Sequence, residues 1–597
     1  MCEKNSRTSA TCEPPIGGKC DYRPAVCSSR QWLVCLVLVL ALSAVWIWGF
    51  NTSYFVAPDA YDYAQMGREI RLGHGMSTLQ TFPKHIPWLA DKGYLGNEHW
   101  PNLHRYPLPT LLNAFFQLLV TDPVAAAVVQ TGVLYILGMV VLFFLAARLT
   151  NLTVAVLSCL FYAADPFVFR SGYNGMSEAF ATLLVLTILL VAFAGRGGAF
   201  KWMVLGGLCG LVFLGRTQFA FLLPLTILYA WFTAERRIRA VGLILIGLCL
   251  ITAPWFTRNF LLTGNPIFSF YSGRALVWNI TDLEIQLHAP VAAQAVLGEY
   301  GPAILKKFIH NTVGPALSLR HWSAMFERMQ IIFPLFFFGA LLGLDRSSQS
   351  RYKLFKWAVL ILLFCNFVVC GMVFHCARFY VIFRPLIFVV AINAMFCLLK
   401  GINAHGYPRA LKPAGIGLLV LLGLFKLYCV VSEHKAVPER GRGDLAFYES
   451  LAGSIGEDCV IASDISYKVS LYAGRRSVRL PADPNDLLEI DNKYLPIDYV
   501  LLSHRIVSPP TDMTNTSAAI RRYRRYAEFA TSQNFRNKYQ IAARQPLGIL
   551  FVKRPEQTQK RNGTARLKAI PLCSHRVSSG KRLQLSTVKP LPYQLPR

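Results

Sequence analysis

The sequence predicts an α-helical polytopic membrane protein of about 11 spans, with a small extracytoplasmic α/β domain near its C-terminal end. Three observations carry that expectation. Long apolar runs pass without polar interruption, Lys and Arg gather in alternate connections, and the residue pattern changes after about residue 434.

Hydrophobic residues make up 54% of the 597-residue chain, and they are clustered. Trp32 to Phe50, Ala125 to Ala147, Glu178 to Ala194 and Met329 to Leu344 are runs of roughly 16 to 23 residues, close to the ~20 that span a bilayer. A soluble core would break such runs at period 2 or 3.6. The expected spans centre near residues 41, 135, 159, 186, 208, 225, 247, 337, 364, 387 and 421. The first run exceeds the usual length of a signal-peptide apolar region and lacks a clean small-residue cleavage site, so it reads as a retained helix.

A formal net charge of +29 would suggest nucleic acid in a soluble protein. Loop bias explains it here, and no nucleic-acid partner is expected. Lys4, Arg7, Lys19, Arg23 and Arg30 precede the first span. Further basic groups follow in alternate connections: Arg148; Arg196 with Lys201; Arg236, Arg237 and Arg239; Arg346 with Arg351, Lys353 and Lys356; Lys400, Arg409 and Lys412. Short basic loops stay cytoplasmic. Residues 1–31 are thus expected to be a cytoplasmic basic tail, and residues 32–433 a membrane domain with long outer loops at 51–123 and 257–328. Cys2, Cys12, Cys20 and Cys27 fall in that inner tail, where a disulfide framework is not expected.

Residues 434–552 read as the outer α/β domain, on short β-rich runs such as Cys459–Ala462 and Tyr499–Leu502. From 553 to 597 basic and turn-forming residues dominate, as in disordered segments.

Carboxylates next to apolar spans are the first candidates for chemistry, because ionised groups at membrane depth are costly. Asp59 and Asp62 follow the first span, three residues apart on a stretch with Pro58 suited to a first helical turn. By itself Asp59 reads as a helix N-terminal charge favoured by the dipole. Glu178 stands at the outer end of the fourth span, where Ser177 and Glu178 by themselves read as a helix cap. Together the two positions lie on the same side, both at helix ends. Such carboxylates can serve as a general base with an orienting or metal-holding partner.

These residues resemble the GT-C glycosyltransferases, the fold shared by protein O-mannosyltransferases, the aminoarabinose transferase of lipid A and RgtA-like bacterial enzymes. The likeness rests on Asp59 with Tyr63-Ala64, on Arg68-Glu69-Ile70 running into Gly73-His74-Gly75, and on His104-Arg105-Tyr106-Pro107-Leu108-Pro109. It continues through Ser177-Glu178, Gly215-Arg216-Thr217, Pro254 to Asn259 with Gly264-Asn265-Pro266, and Arg378-Phe379-Tyr380. It covers roughly residues 32–552 and neither tail.

The resemblance implies transfer of a sugar, with inversion, from a polyprenyl-phosphate donor to a glycolipid, polysaccharide or protein acceptor. The reaction would lie on the outer face of a bacterial cell inner membrane. It implies Asp59 as general base, assisted by Asp62 or Glu178, with Asp62 as competitor for the role. Arg68, His104, Arg105, Arg216, Arg258, Arg378 and Tyr380 become substrate-binding candidates. Guanidinium groups suit the lipid phosphate, while interfacial snorkelling is the plain alternative for any one of them. The resemblance also implies a divalent metal ion, held in the aminoarabinose transferase by a first-loop Glu. The equivalent position here is approximately Arg105, which cannot be a ligand. His104, His99 and Glu98 are the neighbours with ligand chemistry. A lipid-linked-sugar flippase is the rival class, but the broken helices and inverted repeats that mark transporters are not evident in the sequence.

Overall fold

A computed structural model describes residues 29–555 apart from short internal segments, the longest being 271–283 and 508–517. Most of both basic tails, at 1–28 and 556–597, therefore lies outside the described residues, including almost all of the stretch expected to be disordered.

The chain begins with α1 (Ser29–Trp48) and α2 (Pro58–Arg71), then α3 (Ile86–Asp91) and α4 (Pro107–Gln117) in the long connection outside the bundle, the first outer loop. The bundle continues through α5 (Pro123–Leu149), α6 (Leu152–Ala164), α7 (Pro166–Ser171), α8 (Glu178–Phe193), α9 (Ala199–Gly215), α10 (Leu222–Thr233) and α11 (Arg237–Thr263). Next come α12 (Ala293–Leu317), α13 (Ile332–Leu341), α14 (Ser350–Val373), α15 (Ala377–Tyr380), α16 (Arg384–Ala404) and α17 (Leu411–Lys435). Six helical segments are long and apolar enough to cross a bilayer: α1, α5, α11, α14, Arg378–Leu399 and α17. Five shorter apolar helices hold the other expected centres, in α6, α8, α9, Thr217–Thr233 and α13. Outward-facing Leu418, Leu421 and Phe425 of α17 are exposed, an arrangement that water penalises and hydrocarbon does not. The chain is a multi-pass membrane protein.

Close packing rests on small residues. A Cβ on Gly206 of α9 would lie 1.9 Å from the Ile244 carbonyl oxygen, and one on Gly247 of α11 would lie 2.1 Å from that of Met203. The two backbones therefore touch directly, the usual means of association between helices in lipid. Deeper in the bundle, Asp165 caps α7 by accepting from the N–H groups of Phe167 and Val168 at 3.0 and 3.1 Å. Its other oxygen accepts from Arg384 Nη1 at 2.8 Å, and neither side chain is exposed at all.

The domain outside the helical bundle, termed the outer domain for that position, holds a six-stranded sheet in the order β2-β5-β4-β6-β8-β7. Strands β4 (Val460–Ser463), β5 (Arg476–Arg479) and β6 (Tyr499–Ser503) run parallel, whereas β7 (Tyr539–Gln545) and β8 (Gly548–Lys553) join antiparallel. Strands β4 and β6 match the expected β-rich runs. The edge strand β2 (Gln80–Thr81) comes from the first outer loop and pairs with Ser477 and Val478 of β5. Residues 434–552 thus do not complete this sheet alone. A second small pairing joins β1 (Ser77–Thr78) to β3 (Trp100–Pro101) within the loop.

Arg384→Met leaves Asp165 buried and unpaired. It is expected to lower unfolding stability in detergent by about 3–5 kcal/mol. Asp165→Asn in the Arg384→Met background should restore part of that loss, because Asn still caps α7. A double-mutant cycle of thermal midpoints checks this.

Candidate active site

Helix α2 forms because Pro58 fixes its first turn and Asp59 meets the dipole there, with Arg68 and Arg71 in the last turn. It is buried along most of its length, lying against α4 and α5 on one side. On the other side Tyr61 packs on Tyr467 and Tyr472 of the outer domain, with ring centroids 5.1 and 5.9 Å away. This placement brings Asp59 and Asp62 to the mouth of the bundle.

Arg105, in the loop before α4, binds both carboxylates. Its Nε and Nη2 donate to Asp62 Oδ2 at 2.9 and 2.6 Å, and Nη2 lies 2.6 Å from Asp59 Oδ1. Arg378 of α15 donates from Nη2 to Asp59 Oδ2 at 3.2 Å, and its Nε lies 3.0 Å from Glu178 Oε1. Arg216, just past α9, approaches the same Glu178 oxygen at 3.0 Å and donates to Ser177 Oγ at 3.3 Å. The result is an unbroken alternation: Asp62, Arg105, Asp59, Arg378, Glu178, Arg216. Three carboxylates and three guanidinium groups from five separate segments neutralise one another.

Exposure grades along this chain. The side chains of Asp62 and Glu178 are 3% and 1% exposed, that of Asp59 is 23% and that of Arg378 39%. Asp59 is therefore the most open of the three carboxylates. His104 Nε2 lies 3.6 Å from Asp62 Oδ2. Burial lowers the His104 pKa despite the Asp62 contact, and it lowers that of neighbouring His85 well below the ordinary value. Burial likewise pushes the Tyr63 phenol, under Arg105, up to about 12.

A cavity of about 290 Å³ opens beside Arg105, lined among others by Tyr106, Thr217, Trp255, Phe256 and Phe268. Its walls combine aromatic rings with the Arg105 guanidinium and the polar side chains of Thr217, Asn259 and Ser269, which suits an amphipathic ligand carrying an anionic group.

Of the residues singled out in the sequence, Asp59, Asp62, Glu178, His104, Arg105, Arg216 and Arg378 come together. Arg68, Arg258 and Tyr380 lie apart from the alternation. Arg68 donates to the carbonyls of Leu471 and Ser470 at 2.6 and 3.0 Å, tying α2 to the outer domain. Arg258 stacks over Trp255 and donates to the carbonyls of Asn102 and Met76, bracing the loop that carries His104 and Arg105. Tyr380 is buried two residues beyond Arg378. Sequence reasoning missed Lys84 and His85, both buried near the site; Lys84 donates to the Phe270 carbonyl and His85 stacks on that ring at 3.8 Å. The run Pro83-Lys84-His85 amid apolar residues was the available signal.

The residues around Asp59 do not fit the implied metal ion. Arg105 Nη2 stands between the two carboxylates where a bridging cation would sit, and a second positive charge there would be repelled. Glu98 is exposed, and His99 faces Glu69 rather than Asp62.

This fold and this site define a class: the chain has the fold of the GT-C glycosyltransferase superfamily, on which its sequence and structural likenesses converge. A sequence profile of the family described as dolichyl-phosphate-mannose-protein mannosyltransferase matches residues 104–257. A curated relative is undecaprenyl phosphate-alpha-4-amino-4-deoxy-L-arabinose arabinosyl transferase 1 of Pseudomonas fluorescens, 23% identical over 241 residues. That match spans 38% of this chain and 40% of the relative. The crystal structure of ArnT from Cupriavidus metallidurans bound to undecaprenyl phosphate superposes with a TM-score of 0.52 at 12% identity, covering 88% of this chain and 98% of ArnT. The Archaeoglobus fulgidus oligosaccharyltransferase tethered with an acceptor peptide gives a TM-score of 0.52 at 12% identity, covering 80% and 69% of the two chains.

Because folding depresses the pKa values of His85 and His104 below their unfolded value of about 6.5, protons bind the unfolded chain more readily below that pH. Stability is therefore expected to be full above pH 6.5 and to fall as pH drops, by up to about 1.4 kcal/mol per histidine per pH unit. Thermal midpoints measured from pH 7.5 to 5.5 check the sign. His85→Phe, which keeps the stack on Phe270 and removes the proton site, should flatten the slope.

Proposed function

We propose that the protein transfers a sugar from a polyprenyl-phosphate donor to an acceptor hydroxyl at the outer face of a bacterial inner membrane, with the N-terminus inside. The observation that carries this reading is the alternating chain of charges whose Arg105 borders a cavity with aromatic walls. The cavity takes the lipid-proximal part of the donor, and Arg105 and Arg378 meet its phosphate, where forked guanidinium pairing is strongest. Both arginines also hold Asp59. As the phosphate draws them, the Asp59 carboxylate is released from its two guanidinium partners and turns to the acceptor. It then accepts the proton of the acceptor hydroxyl while that oxygen attacks the anomeric carbon from the face opposite the phosphate. The carbon–phosphate-oxygen bond breaks, its electron pair stays on the lipid phosphate, and the sugar configuration inverts. Asp62 and Glu178 keep Arg105, Arg378 and Arg216 in place.

The names of the relatives support a lipid-phosphate donor: the curated relative is named an undecaprenyl phosphate-alpha-4-amino-4-deoxy-L-arabinose arabinosyl transferase, and ArnT is seen with undecaprenyl phosphate. The acceptor in this reading is a glycolipid, polysaccharide or protein; the protein mannosyltransferase profile and the acceptor peptide tethered to the oligosaccharyltransferase support a protein among these.

Asp59→Asn is expected to reduce transfer from radiolabelled polyprenyl-phosphate sugars by about 10²–10⁴-fold with the fold intact. Asp62→Asn and Glu178→Gln should lose less. A full rate in Asp59→Asn with none in Asp62→Asn would move the base by one turn. Carrier movement across vesicles without any transfer would replace the transferase by a flippase.

A further inference from the structure

Two turns beyond Asp62, the same helix face carries a second cluster that the transfer chemistry leaves unused. Glu69 is buried, and its Oε2 lies 2.9 Å from His74 Nδ1 and 2.9 Å from His99 Nδ1. The imidazole rings stack with centroids 3.9 Å apart. We propose that Glu69, His74 and His99 form a binding site for one Zn²⁺-like divalent ion, which clamps α2 to the first outer loop.

Helix α2 ends in a Schellman motif. The Gly73 N–H donates to the Ile70 carbonyl and the His74 N–H to the Glu69 carbonyl, with Gly73 at φ 90°. Such an ending usually brings an apolar residue after the turn against an apolar residue in the last turn. Here the two positions are His74 and Glu69, a ligand pair in place of a hydrophobic contact. The third member arrives from elsewhere in the loop. His99 directly precedes β3, and the β1–β3 pairing with its buried Trp100 holds it in place.

The carboxylate is also oriented as a metal ligand is. Glu69 Oε1 accepts from Gln65 Nε2 at 3.0 Å and from Arg68 Nη2 at 3.2 Å, leaving Oε2 to the histidines. Gln65 in turn accepts from Thr78 Oγ1 at 3.0 Å. The buried His99 Nδ1 makes no directed hydrogen bond despite its 2.9 Å approach to Oε2, so an ion seated between the two atoms would replace a poorly aligned contact. The three donor atoms lie within 4.8 Å of one another. Donors in a tetrahedral zinc shell stand roughly 3.3 Å apart, so small side-chain rotations admit the ion. His74 and His99 are 39% and 26% exposed, leaving the fourth position to water.

The role is structural. Glu69 lies seven residues from Asp62, about 10.5 Å along the helix axis, too far for the ion to touch the reacting atoms. The ion would join α2, the β1–β3 pair and, through Arg68, the outer domain. Among the described residues a second His/carboxylate group, His288 with Asp486 and Glu489, is exposed or half-buried, and it serves as the control.

The test uses the full chain, purified in detergent and stripped by chelator, with Co²⁺ as probe. One Co²⁺ per chain is expected, giving the visible absorption of a tetrahedral ion, displaced by Zn²⁺, with Zn²⁺ raising the thermal midpoint. His99→Gln, at the rim and on the loop side, should weaken binding by more than the roughly 10–100-fold that loss of an outer-shell partner costs. His74→Gln/His99→Gln should abolish it, and His288→Gln should leave it unchanged. Absence of stoichiometric Co²⁺ binding, or binding that survives both histidine variants, would overturn the proposal. Because the readouts are spectroscopic and thermal, they stand whether or not sugar transfer is observed.

Discussion

Ionised side chains at the edge of a hydrocarbon slab persist only where a partner neutralises each of them, because an unpaired buried charge costs several kcal/mol. In this protein that constraint takes the form of six alternating charges from Asp62 to Arg216. The donors and acceptors come from α2, the loop before α4, the start of α8, the end of α9 and α15. None of these segments can shift without stranding a charge on a neighbour. The same rule acts deeper in the bundle, where Asp165 and Arg384 tie α7 to α16 with no solvent access. Electrostatic pairing thus fixes where the helices end, while apolar packing and close glycine contacts fix how they lie beside one another.

The first outer loop is held from several directions at once. Its strand β2 completes the outer sheet, Arg68 grips the outer-domain backbone, and Arg258 braces the segment that carries Arg105. Outer domain and bundle therefore position one surface jointly. Helix α2 lies between them, carrying Asp59 and Asp62 at one end and Glu69 at the other. A site at a membrane mouth needs such support, because water competes there for every polar contact.

Much of this was legible in the chain itself. Apolar runs of bilayer length give the spans, since hydrocarbon tolerates only segments whose backbone is satisfied internally. Asp59, Asp62 and Glu178 were visible because carboxylates beside apolar runs are rare. Arg105, Arg216 and Arg378 stood out by resemblance and by the demand of a phosphate for guanidinium. Strands β4 and β6 were legible as continuous apolar runs, as befits strands buried on both faces. Strand β2 was not, because two residues carry no periodicity.

The sequence by itself determined the membrane class, the order of apolar segments and the chemical types available at the mouth, because these depend on composition and local spacing. Only the tertiary structure decided which charges meet. Nothing local distinguishes Arg68, which binds backbone carbonyls, from Arg105, which bridges two carboxylates. Nor does spacing reveal that Glu69 faces His99, thirty residues away. Those partnerships arise from long-range packing, which places each side chain within reach of some charges and shields it from others.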